Sequence, residues 1–381
     1  MKSVHIIGAG FFGLTMAHLI TEKYNIEAII HESRDHIGGN AFSYIDAITG
    51  IEVHKYGTHL FHTSNSEVIE FITKFDKFNN YNHVVWANAR GKNYSLPVNL
   101  STIAAAFGVA VTPNAARNII ANEIASLNFS PEEKNLNLRN KALSSIGVTL
   151  YELLVEGYTR KQWNLDPEEL PASVITRLPV RFNFNNSYFS DTFQGLPVNG
   201  YQNLFLEMIS NRKIKIETGK TWSIKDLDGD LTIYTGPVDR FFNYECGPLN
   251  WRTLDLQIEH HEVEDFQGTA VMNYSDANIP FTRIHEFKHL HPERPWNKES
   301  TVVMREFSRW AELSDEPYYP VNSAQDKKTL EKYRNLIAKE KNVLFGGRLG
   351  SYQYLDMHMA IASAMSQFRN DVIPRLNGCT N

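Results

Sequence analysis

The chain has only two cysteines, Cys246 and Cys379, which stand far apart among its 381 residues. They provide neither a disulfide framework nor the ligand spacing of a zinc site, so they fit a reducing cytoplasm. The sequence also lacks an apolar run of the ~18 residues that a membrane-spanning helix needs. Its formal net charge of −5 gives no basic field that would attract nucleic acid. We therefore predict a cytoplasmic protein with no membrane insertion and no nucleic-acid partner.

The stretch 4–13 (VHIIGAGFFG) is typical of a nucleotide-binding turn. Its first residues predict a buried parallel strand, and apolar residues at helical spacing follow the turn. Between them, Gly8, Gly10 and Gly13 form the pattern GxGxxG. Such glycines let backbone N–H groups approach a pyrophosphate at the positive end of a helix. The stretch therefore favours a dinucleotide cofactor.

An acid and a second glycine pair sharpen the choice of cofactor. Glu32 follows the second predicted strand, 28–30. A carboxylate at this position can accept hydrogen bonds from ribose hydroxyls, and it disfavours the 2′-phosphate of NADP. Gly38 and Gly39 follow soon after it, and most NAD domains need no second glycine loop. The combination favours FAD as the bound cofactor, with NADPH possible only as a dissociable reductant.

Two histidines, His59 and His62, lie in the alternating stretch 51–63 and invite a metal interpretation. A metal site needs at least three protein ligands, and no third ligand stands at a suitable spacing. The sequence therefore predicts no metal site.

The middle of the chain is predominantly helical. Apolar spacing predicts a helix over 65–78, and a hairpin is predicted to turn at 90–92. The stretch 101–163 then carries helical spacing almost throughout, which indicates a helical insertion.

Strands return in the second half of the chain. Strands and turns are predicted over 171–244, and period-two alternation between 253 and 307 predicts an antiparallel sheet. A last strand, 343–345, precedes a helix that is expected to start near Leu355.

Eight motifs resemble the UDP-galactopyranose mutase family and stand in that family's order. They are GxGxxG with ESRDHIGGNA, HKYGTHLFHTS, GYTRKQW, ITRLPVRF, NNSYFSDTFQGLP, FTRIHEFKH, DEPYYPVN and FGGRLGSYQYLDMHMA. The resemblance implies a mixed α/β fold: a discontinuous FAD-binding Rossmann-like domain, a helical insertion and an antiparallel β-sheet domain. The implied boundaries are 1–82, 199–242 and 318–381 for the FAD-binding domain, 99–170 for the helical domain, and 83–98, 171–198 and 243–317 for the sheet domain, with a mobile lid near 164–180.

The resemblance also implies an activity. Such an isomerase would interconvert UDP-galactopyranose and UDP-galactofuranose through a covalent bond between N5 of reduced FAD and C1 of the sugar. The product would supply cell-surface polysaccharide, and bacterial members of the family imply a homodimer. Catalysis by a cofactor atom would explain why no Ser-His-Asp or Cys-His arrangement can be assembled from this sequence.

Three residues match the family's catalytic positions. Arg177 and Arg283 match the two arginines that bind the diphosphate, and Arg177 falls in the expected lid. His59 matches the histidine beside the flavin, where an ordinary pKa near 6.5 would permit it to shuttle a proton.

Nine residues match substrate-binding positions. They are Leu154, Tyr158, Thr159, Trp163, Tyr188, Arg252, Asn273, Tyr319 and Tyr354. Two departures stand out, because Leu154 replaces an aromatic residue of some members and Phe281 replaces a tyrosine that precedes Arg283 by two positions.

Twelve residues match cofactor-binding positions. They are Gly8, Gly10, Phe12, Gly13, Glu32, Gly39, Asn40, His59, Leu60, Arg348, Asp356 and Met357. A helix N-terminus near N1 and the C2 carbonyl would stabilise the negative charge of reduced flavin.

Three other functions share parts of this pattern. A mutase of another nucleotide sugar, such as UDP-arabinopyranose, UDP-N-acetylgalactosamine or dTDP-fucose, would share nearly every motif. A flavin oxidoreductase such as an amine oxidase shares the first forty residues but would not need the arginine pair. A binding protein resembling GDP-dissociation inhibitors would use the same scaffold without flavin and would expose a large apolar patch.

Overall fold

The computed structural model describes residues 3–175, 179–222, 231–296 and 298–378. In chain order its strands are β1 (Ser3–Ile7), β2 (Glu27–His31), β3 (Ser43–Ile45), β4 (Glu52–His54), β5 (Phe61–Thr63), β6 (Val85–Ala89), β7 (Lys92–Leu96), β8 (Phe193–Gly195), β9 (Ile214–Glu217), β10 (Thr232–Tyr234), β11 (Trp251–His261), β12 (Val271–Tyr274), β13 (Arg283–Glu286), β14 (Thr301–Trp310), β15 (Tyr319–Pro320) and β16 (Val343–Phe345).

Helices occupy much of the remaining chain. They are α1 (Phe11–Lys23), α2 (Ser66–Ile72), α3 (Leu100–Phe107), α4 (Pro113–Ala125), α5 (Leu138–Leu150), α6 (Gly157–Trp163), α7 (Tyr201–Met208), α8 (Val238–Phe241), α9 (Ala324–Ile337), α10 (Gly347–Gly350), α11 (Met357–Gln367) and α12 (Ile373–Gly378). A π-helical turn, Tyr151–Glu156, joins α5 to α6.

A five-stranded parallel sheet, in the order β16-β10-β1-β2-β9, draws its strands from widely separated parts of the chain. The predicted strand–turn–helix–strand unit is confirmed as β1, α1 and β2. Val4 and Ile6 of β1, with Ala28 and Ile30 of β2, are fully buried, and α1 packs on β2 and α11. The fold class is thus mixed α/β, with a Rossmann-like sheet at its centre.

The turn between β1 and α1 is closed by glycine packing. A Cβ on Gly13 would lie 2.0 Å from the carbonyl oxygen of Gly8. A Cβ on Gly8, whose φ is +107°, would lie 2.1 Å from Oγ1 of Thr235 at the end of β10. A Cβ on Gly10 would meet nothing within 4 Å. Two of the three motif glycines are therefore required by the fold, and the third faces open space.

A seven-stranded sheet, in the order β15-β11-β14-β13-β12-β6-β7, forms the second layer. The predicted alternation is confirmed in its long antiparallel pair β11–β14, which runs from Arg252 opposite Trp310 to His261 opposite Thr301. The hairpin predicted near Arg90 is confirmed as β6–β7. The pair β12–β6 is parallel, and the long stretch of chain between these strands provides the crossover that a parallel pair needs.

Helices α3 to α6 enclose a core of their own, which also takes in residues of the β6–β7 hairpin. The prediction of a helical stretch is confirmed, with two interruptions. Gly147 adopts φ +78° and kinks α5, where the backbone N–H of Thr149 donates to Glu123 of α4 over 3.0 Å. The π-helical turn follows, and together these features set the direction of α6.

Two expectations from the sequence are wrong in detail. The helix expected over 65–78 ends at Ile72, with Asn65 as its N-cap. Within the described part of the stretch 171–198, β8 is the one strand. Side chains of Asn183 and Asn185 there accept hydrogen bonds from backbone N–H groups two residues ahead, which stabilises turns instead of strands.

Helix α7 was missed in a stretch predicted as strands and turns. It begins directly after Gly200, which adopts φ +84°. Its buried residues Tyr201, Leu204, Phe205 and Met208 follow the i, i+3, i+4, i+7 spacing of an amphipathic helix. The signal was present in the sequence, but it spans only two turns.

None of the helices in the described ranges combines enough length with enough apolar character to cross a bilayer.

We expect Gly13→Ala to lower the free energy of unfolding by about 1–3 kcal/mol, because the added methyl group overpacks the turn against the Gly8 carbonyl. Urea denaturation of cofactor-free protein measures the change. Gly10→Ala is the matched control, since its φ of −78° suits alanine and its Cβ has room. Equal destabilisation by the two substitutions would contradict the packing argument.

Candidate active site

A cleft of about 2200 Å³ runs from the glycine loops to α6, between the two large sheets. It gathers nearly all of the predicted site residues. Those in its wall are Gly8, Gly10, Phe12, Gly13, Glu32, Gly39, Asn40, His59, Leu60, Leu154, Tyr158, Thr159, Trp163, Tyr188, Asn273, Arg283, Tyr319, Arg348, Tyr354, Asp356 and Met357. Arg177 lies outside the described residues, and Arg252 does not line the cleft.

Glu32 fastens the two glycine loops together at one end of the cleft. Its Oε2 accepts a hydrogen bond from the Ala9 N–H over 2.8 Å, and its Oε1 accepts one from the Arg34 N–H over 2.9 Å. The Gly38 N–H donates to the Ala9 carbonyl over 2.7 Å. The carboxylate is therefore held in place while it keeps lone pairs for ribose hydroxyls.

The residues around these loops fit the dinucleotide part of FAD. Nη1 of Arg34 and Nδ2 of Asn40 are buried donors that have no hydrogen-bond partner among the described residues. The side chains are linked to each other through a 2.9 Å bond from Nη2 of Arg34 to Oδ1 of Asn40. Beside them, a Cβ on Gly10 would meet nothing within 4 Å, so the loop is open at this residue. Unsatisfied donors next to an open glycine loop suit an anionic pyrophosphate.

The N-terminus of α11 opens into the same cleft. Asp356 occupies the N-cap position, and its side chain makes no capping hydrogen bond. Leu355, Asp356 and Met357 all line the cleft, and Arg348 approaches it from α10. The helix starts within two residues of the expected position, and its positive end together with Arg348 can stabilise negative charge on a bound group.

His59 is held in one tautomer. Its Nδ1 faces the Gly57 carbonyl oxygen at 2.7 Å and must donate, which leaves Nε2 as an acceptor. Burial lowers the pKa of His59 to about 4, with nearby positive charge on Arg348 acting in the same direction. The expectation of a pKa near 6.5 is therefore corrected, and His59 is a neutral hydrogen-bond acceptor at pH 7.

A buried charge cluster lies at the centre of the cleft. Arg283 and Glu306 face each other across β13 and β14, with Nε and Oε1 3.2 Å apart. The other carboxylate oxygen accepts from Nε2 of His285 over 3.2 Å, and Nδ1 of His285 accepts from the Thr58 hydroxyl over 2.8 Å. The cluster joins the seven-stranded sheet to the segment that carries His59.

The charges in this cluster fix each other's protonation. Burial alone would raise the pKa of Glu306, but the Arg283 charge and the His285 hydrogen bond lower that pKa to about 2. Burial alone would lower the pKa of Arg283, but Glu306 raises it well above its ordinary value. Arg283 is therefore a permanent cation, and its remaining N–H groups are available to an anion.

Helix α6 brings three predicted residues to the other side of Arg283. Nη2 of Arg283 donates to the Tyr158 hydroxyl over 2.6 Å, and burial raises the pKa of Tyr158 to about 12. Thr159 and Trp163 follow on the same helix, and Leu154 reaches the cleft from the π-helical turn. The departure at Leu154 thus places an aliphatic side chain in the wall of the site.

Tyrosines on the opposite side complete this end of the cleft. Tyr319 and Tyr354 stack with ring centroids 5.8 Å apart. Asn273 lies opposite Arg283 in the β12–β13 pair, and its Oδ1 is buried without a partner. These groups offer hydroxyl and amide contacts to a polar ligand without adding charge.

The structure places two of the sequence-based candidates elsewhere. Arg252 is fully buried beneath α6, where it donates to the Gln162 carbonyl over 3.1 Å and to the Ser308 hydroxyl over 3.1 Å. It therefore fastens α6 to the sheet. Phe281 packs on Tyr274 and Phe307 and does not line the cleft. The replacement of tyrosine by Phe281 therefore removes no hydroxyl group from the wall of the cleft.

Sequence reasoning missed three groups in this site. His285 lies two residues after Arg283 and so shares its strand face, and Glu306 interrupts an apolar strand, which is the signal that could have found it. His83 also lines the cleft, and burial lowers its pKa to about 3.

Folding also brings Asp356 and His358 near His62, with possible ligand atoms within 4.8 Å of one another, although Nδ1 of His62 already binds Asp191 over 2.7 Å.

We expect Glu306→Gln to destabilise the fold by about 3–5 kcal/mol at pH 7, because it leaves the buried Arg283 charge uncompensated. The pKa of Glu306 is lowered in the folded state, so its stabilisation is complete above about pH 4.5 and is lost as the pH falls towards 2. Urea denaturation from pH 7 to pH 3 should show the gap between wild type and variant narrowing below pH 4.5.

Glu67→Gln removes a half-exposed acid that pairs with Arg369 and is the matched control, with an expected effect below about 1 kcal/mol. A gap for Glu306→Gln that stays constant across the pH range would contradict the assignment.

Comparison with known proteins bears out the resemblance. A family model described as UDP-galactopyranose mutase matches residues 153–354, and one for an NAD(P)-binding Rossmann-like domain matches residues 6–75. The chain is 40% identical over 373 residues to a dTDP-fucopyranose mutase of Escherichia coli, covering 96% of this chain and 97% of that protein. It is 39% identical over 367 residues to a probable UDP-galactopyranose mutase of Klebsiella pneumoniae, covering 96% and 93%.

Among solved structures, a reduced UDP-galactopyranose mutase matches with a TM-score of 0.74 at 15% identity, over 100% of this chain and 94% of that one, which shows the shared fold. The chain therefore belongs to the UDP-galactopyranose mutase family, as a flavin-dependent enzyme that interconverts the pyranose and furanose forms of a nucleotide sugar.

Proposed function

We propose that the protein catalyses the reversible ring contraction of UDP-galactopyranose to UDP-galactofuranose and that it works with reduced FAD. One observation carries the proposal: a permanently charged arginine, Arg283, lies in a single cleft between the glycine loops and α6, which carries Tyr158, Thr159 and Trp163. A nucleotide sugar has the matching order of parts, with the diphosphate between the sugar and the base.

Arg283 would bind the diphosphate and stabilise the charge that develops on it as the bond to the sugar breaks. A guanidinium suits phosphate through paired hydrogen bonds, and such charge stabilisation is effective in a buried site. Glu306 keeps the guanidinium oriented, and Tyr158 fixes its outer edge. We propose Arg177 as a second cation in the expected lid, on the family match alone.

Reduced FAD, when bound, would supply nucleophilic chemistry at the anomeric carbon of the sugar. The chain's own residues hold and tune this group. Glu32 would bind the adenosine ribose, while Arg348 and the N-terminus of α11 would stabilise negative charge. Nε2 of His59 would accept a hydrogen bond from the cofactor or the sugar.

The nucleoside end is proposed to lie against α6. Tyr158 would stack on uracil and Thr159 would hydrogen-bond the nucleotide, with Trp163 closing the site towards the sugar. On the opposite wall, Tyr319 and Tyr354 would donate to phosphate oxygens.

The lining of the cleft favours galactose as the sugar. Near Arg283, the wall is lined by polar side chains, among them Asn273 of β12, His285 of β13 and His83 just before β6. C6 of galactose bears a hydroxyl group, whereas C6 of fucose is a methyl group. A polar wall favours the sugar with the hydroxyl group.

A second candidate substrate is dTDP-fucopyranose. The 40% identical relative from Escherichia coli bears that name. Leu154, an aliphatic residue where some family members have an aromatic one, also offers an apolar contact to the 5-methyl group of thymine.

Several further features stay proposals. The domain boundaries, the mobile lid near 164–180, the homodimer and the use of the product in cell-surface polysaccharide rest on the family resemblance. The cytoplasmic location rests on the composition of the sequence, and NADPH is proposed as a dissociable reductant.

An anaerobic assay tests the proposed reaction. Purified protein is incubated with UDP-galactofuranose or with dTDP-fucofuranose, with and without dithionite, and the pyranose is followed by chromatography. We expect conversion of the UDP sugar only after reduction. A preference for the dTDP sugar would establish the second candidate, and no conversion of either by a yellow, reducible protein would overturn both.

We expect His59→Asn to lower turnover while flavin binding changes much less, because the substitution removes the Nε2 acceptor from the cleft. Since the pKa of His59 is about 4, the ratio of wild-type to variant kcat should stay constant between pH 6 and pH 8. His260→Asn, on β11 outside the cleft, is the control. Equal loss of turnover and flavin, or a ratio that changes near pH 6.5, would contradict this role.

A further inference from the structure

Lys161 lies on α6 with its ammonium group among three backbone carbonyls. Nζ donates to the Tyr274 carbonyl over 2.6 Å, to that of Asp276 over 2.9 Å and to that of Phe281 over 3.1 Å. An ammonium group has three N–H donors, so all of its hydrogen-bonding capacity is used within the protein. A surface lysine would instead leave these donors to water.

The three carbonyls belong to the connection between β12 and β13. Tyr274 stands at its start and Phe281 near its end, so one side chain fixes both ends of the loop. Directly beyond these ends lie Asn273 and Arg283, which face each other across the pair and both line the cleft. A shift of the loop would therefore move two residues of the site.

Close packing also holds α6 against the connection between β12 and β13. A Cβ on Gly157, the first residue of α6, would lie 2.2 Å from the carbonyl oxygen of Ser275 in this loop. The Asp276 carboxylate accepts from the Arg90 N–H over 2.8 Å, which also ties the loop to the β6–β7 turn. On the cleft side, the 2.6 Å hydrogen bond from Arg283 to Tyr158 links β13 to α6.

We propose that Lys161 is a positioning residue, which holds the β12–β13 hairpin against α6 so that Arg283 and Tyr158 reach the same nucleoside diphosphate. The proposal rests on the proposed function, in which Arg283 binds the diphosphate and Tyr158 stacks on the base. Arg252 beneath α6 fastens the helix to the sheet but contacts neither end of this loop.

The charge of Lys161 suits this role at neutral pH. Burial lowers its pKa to about 8, and the nearby negative charge of Asp276 opposes that shift. The group therefore remains an ammonium at pH 7, with one N–H for each carbonyl. A neutral amine would offer only two N–H donors to the three acceptors.

Lys161→Met tests the proposal, because it keeps an unbranched side chain that is only one atom shorter and removes its donors. We expect flavin binding to be retained, the Kd for UDP to rise about tenfold and kcat/KM to fall roughly 10- to 100-fold. Titration calorimetry with UDP and steady-state assays measure these changes. Arg160→Met on the same helix is the matched control, since Arg160 pairs with Glu156 and Asp166 on the surface and should leave both quantities unchanged.

A double-mutant cycle with Tyr158→Phe separates positioning from general stability. If Lys161 acts through the Arg283–Tyr158 contact, the combined loss of UDP affinity should be clearly smaller than the product of the two single losses. Independent, multiplicative losses, or a normal Kd for UDP in a folded Lys161→Met variant, would overturn the proposal.

Lys161→Gln keeps two N–H donors, so we expect its effect to be intermediate. This variant provides the test if Lys161→Met yields no flavin-bound protein. A Kd for UDP equal to that of wild type in Lys161→Gln would then overturn the proposal. Failure of the proposed function is distinguishable, because it would appear as wild-type protein that binds UDP but converts neither nucleotide sugar.

Discussion

The pairing of Arg283 with Glu306 is the interaction on which the site depends. Glu306 is buried, and Arg283 on the neighbouring strand has a side chain that is 27% exposed, so the carboxylate without this cation would be strongly unfavourable. Each makes the other's ionised form stable, and the surplus hydrogen-bonding capacity of the guanidinium faces the cleft. The result is a cation that is fixed before any ligand arrives, so little reorganisation is needed when negative charge develops beside it.

The same carboxylate links parts of the fold that are remote in the chain. Through His285 and Thr58, Glu306 reaches the segment that carries His59, and through Arg283 it reaches Tyr158 on α6. A second carboxylate, Glu32, does the equivalent work for the two glycine loops. Two buried acids thus organise two parts of one cleft, because each carboxylate is held by groups that the fold brings to it.

Local signals predicted the parts of the structure that depend on neighbouring residues. The strand–turn–helix unit around Gly8, the hairpin at Arg90 and the start of α11 follow from spacing, glycine geometry and alternation. Motif resemblance then supplied most of the cleft wall. The placement of Arg252 could not be read in this way, since alternation gives the face of a strand but not the helix that will cover it. The role of Glu306 depends on a partner more than twenty residues away. In the described part of 171–198, side-chain hydrogen bonds of Asn183 and Asn185 compete with strand pairing.

We propose that Arg283 recognises the diphosphate and does not act through the base. Titration calorimetry of UDP and of uridine against wild type and Arg283→Lys tests it most directly, because lysine keeps a charge beside Glu306 but lacks the paired guanidinium donors. We expect UDP to bind the variant about tenfold more weakly, with an unchanged affinity for uridine. Equal weakening of UDP and uridine, or no change for UDP, would contradict it.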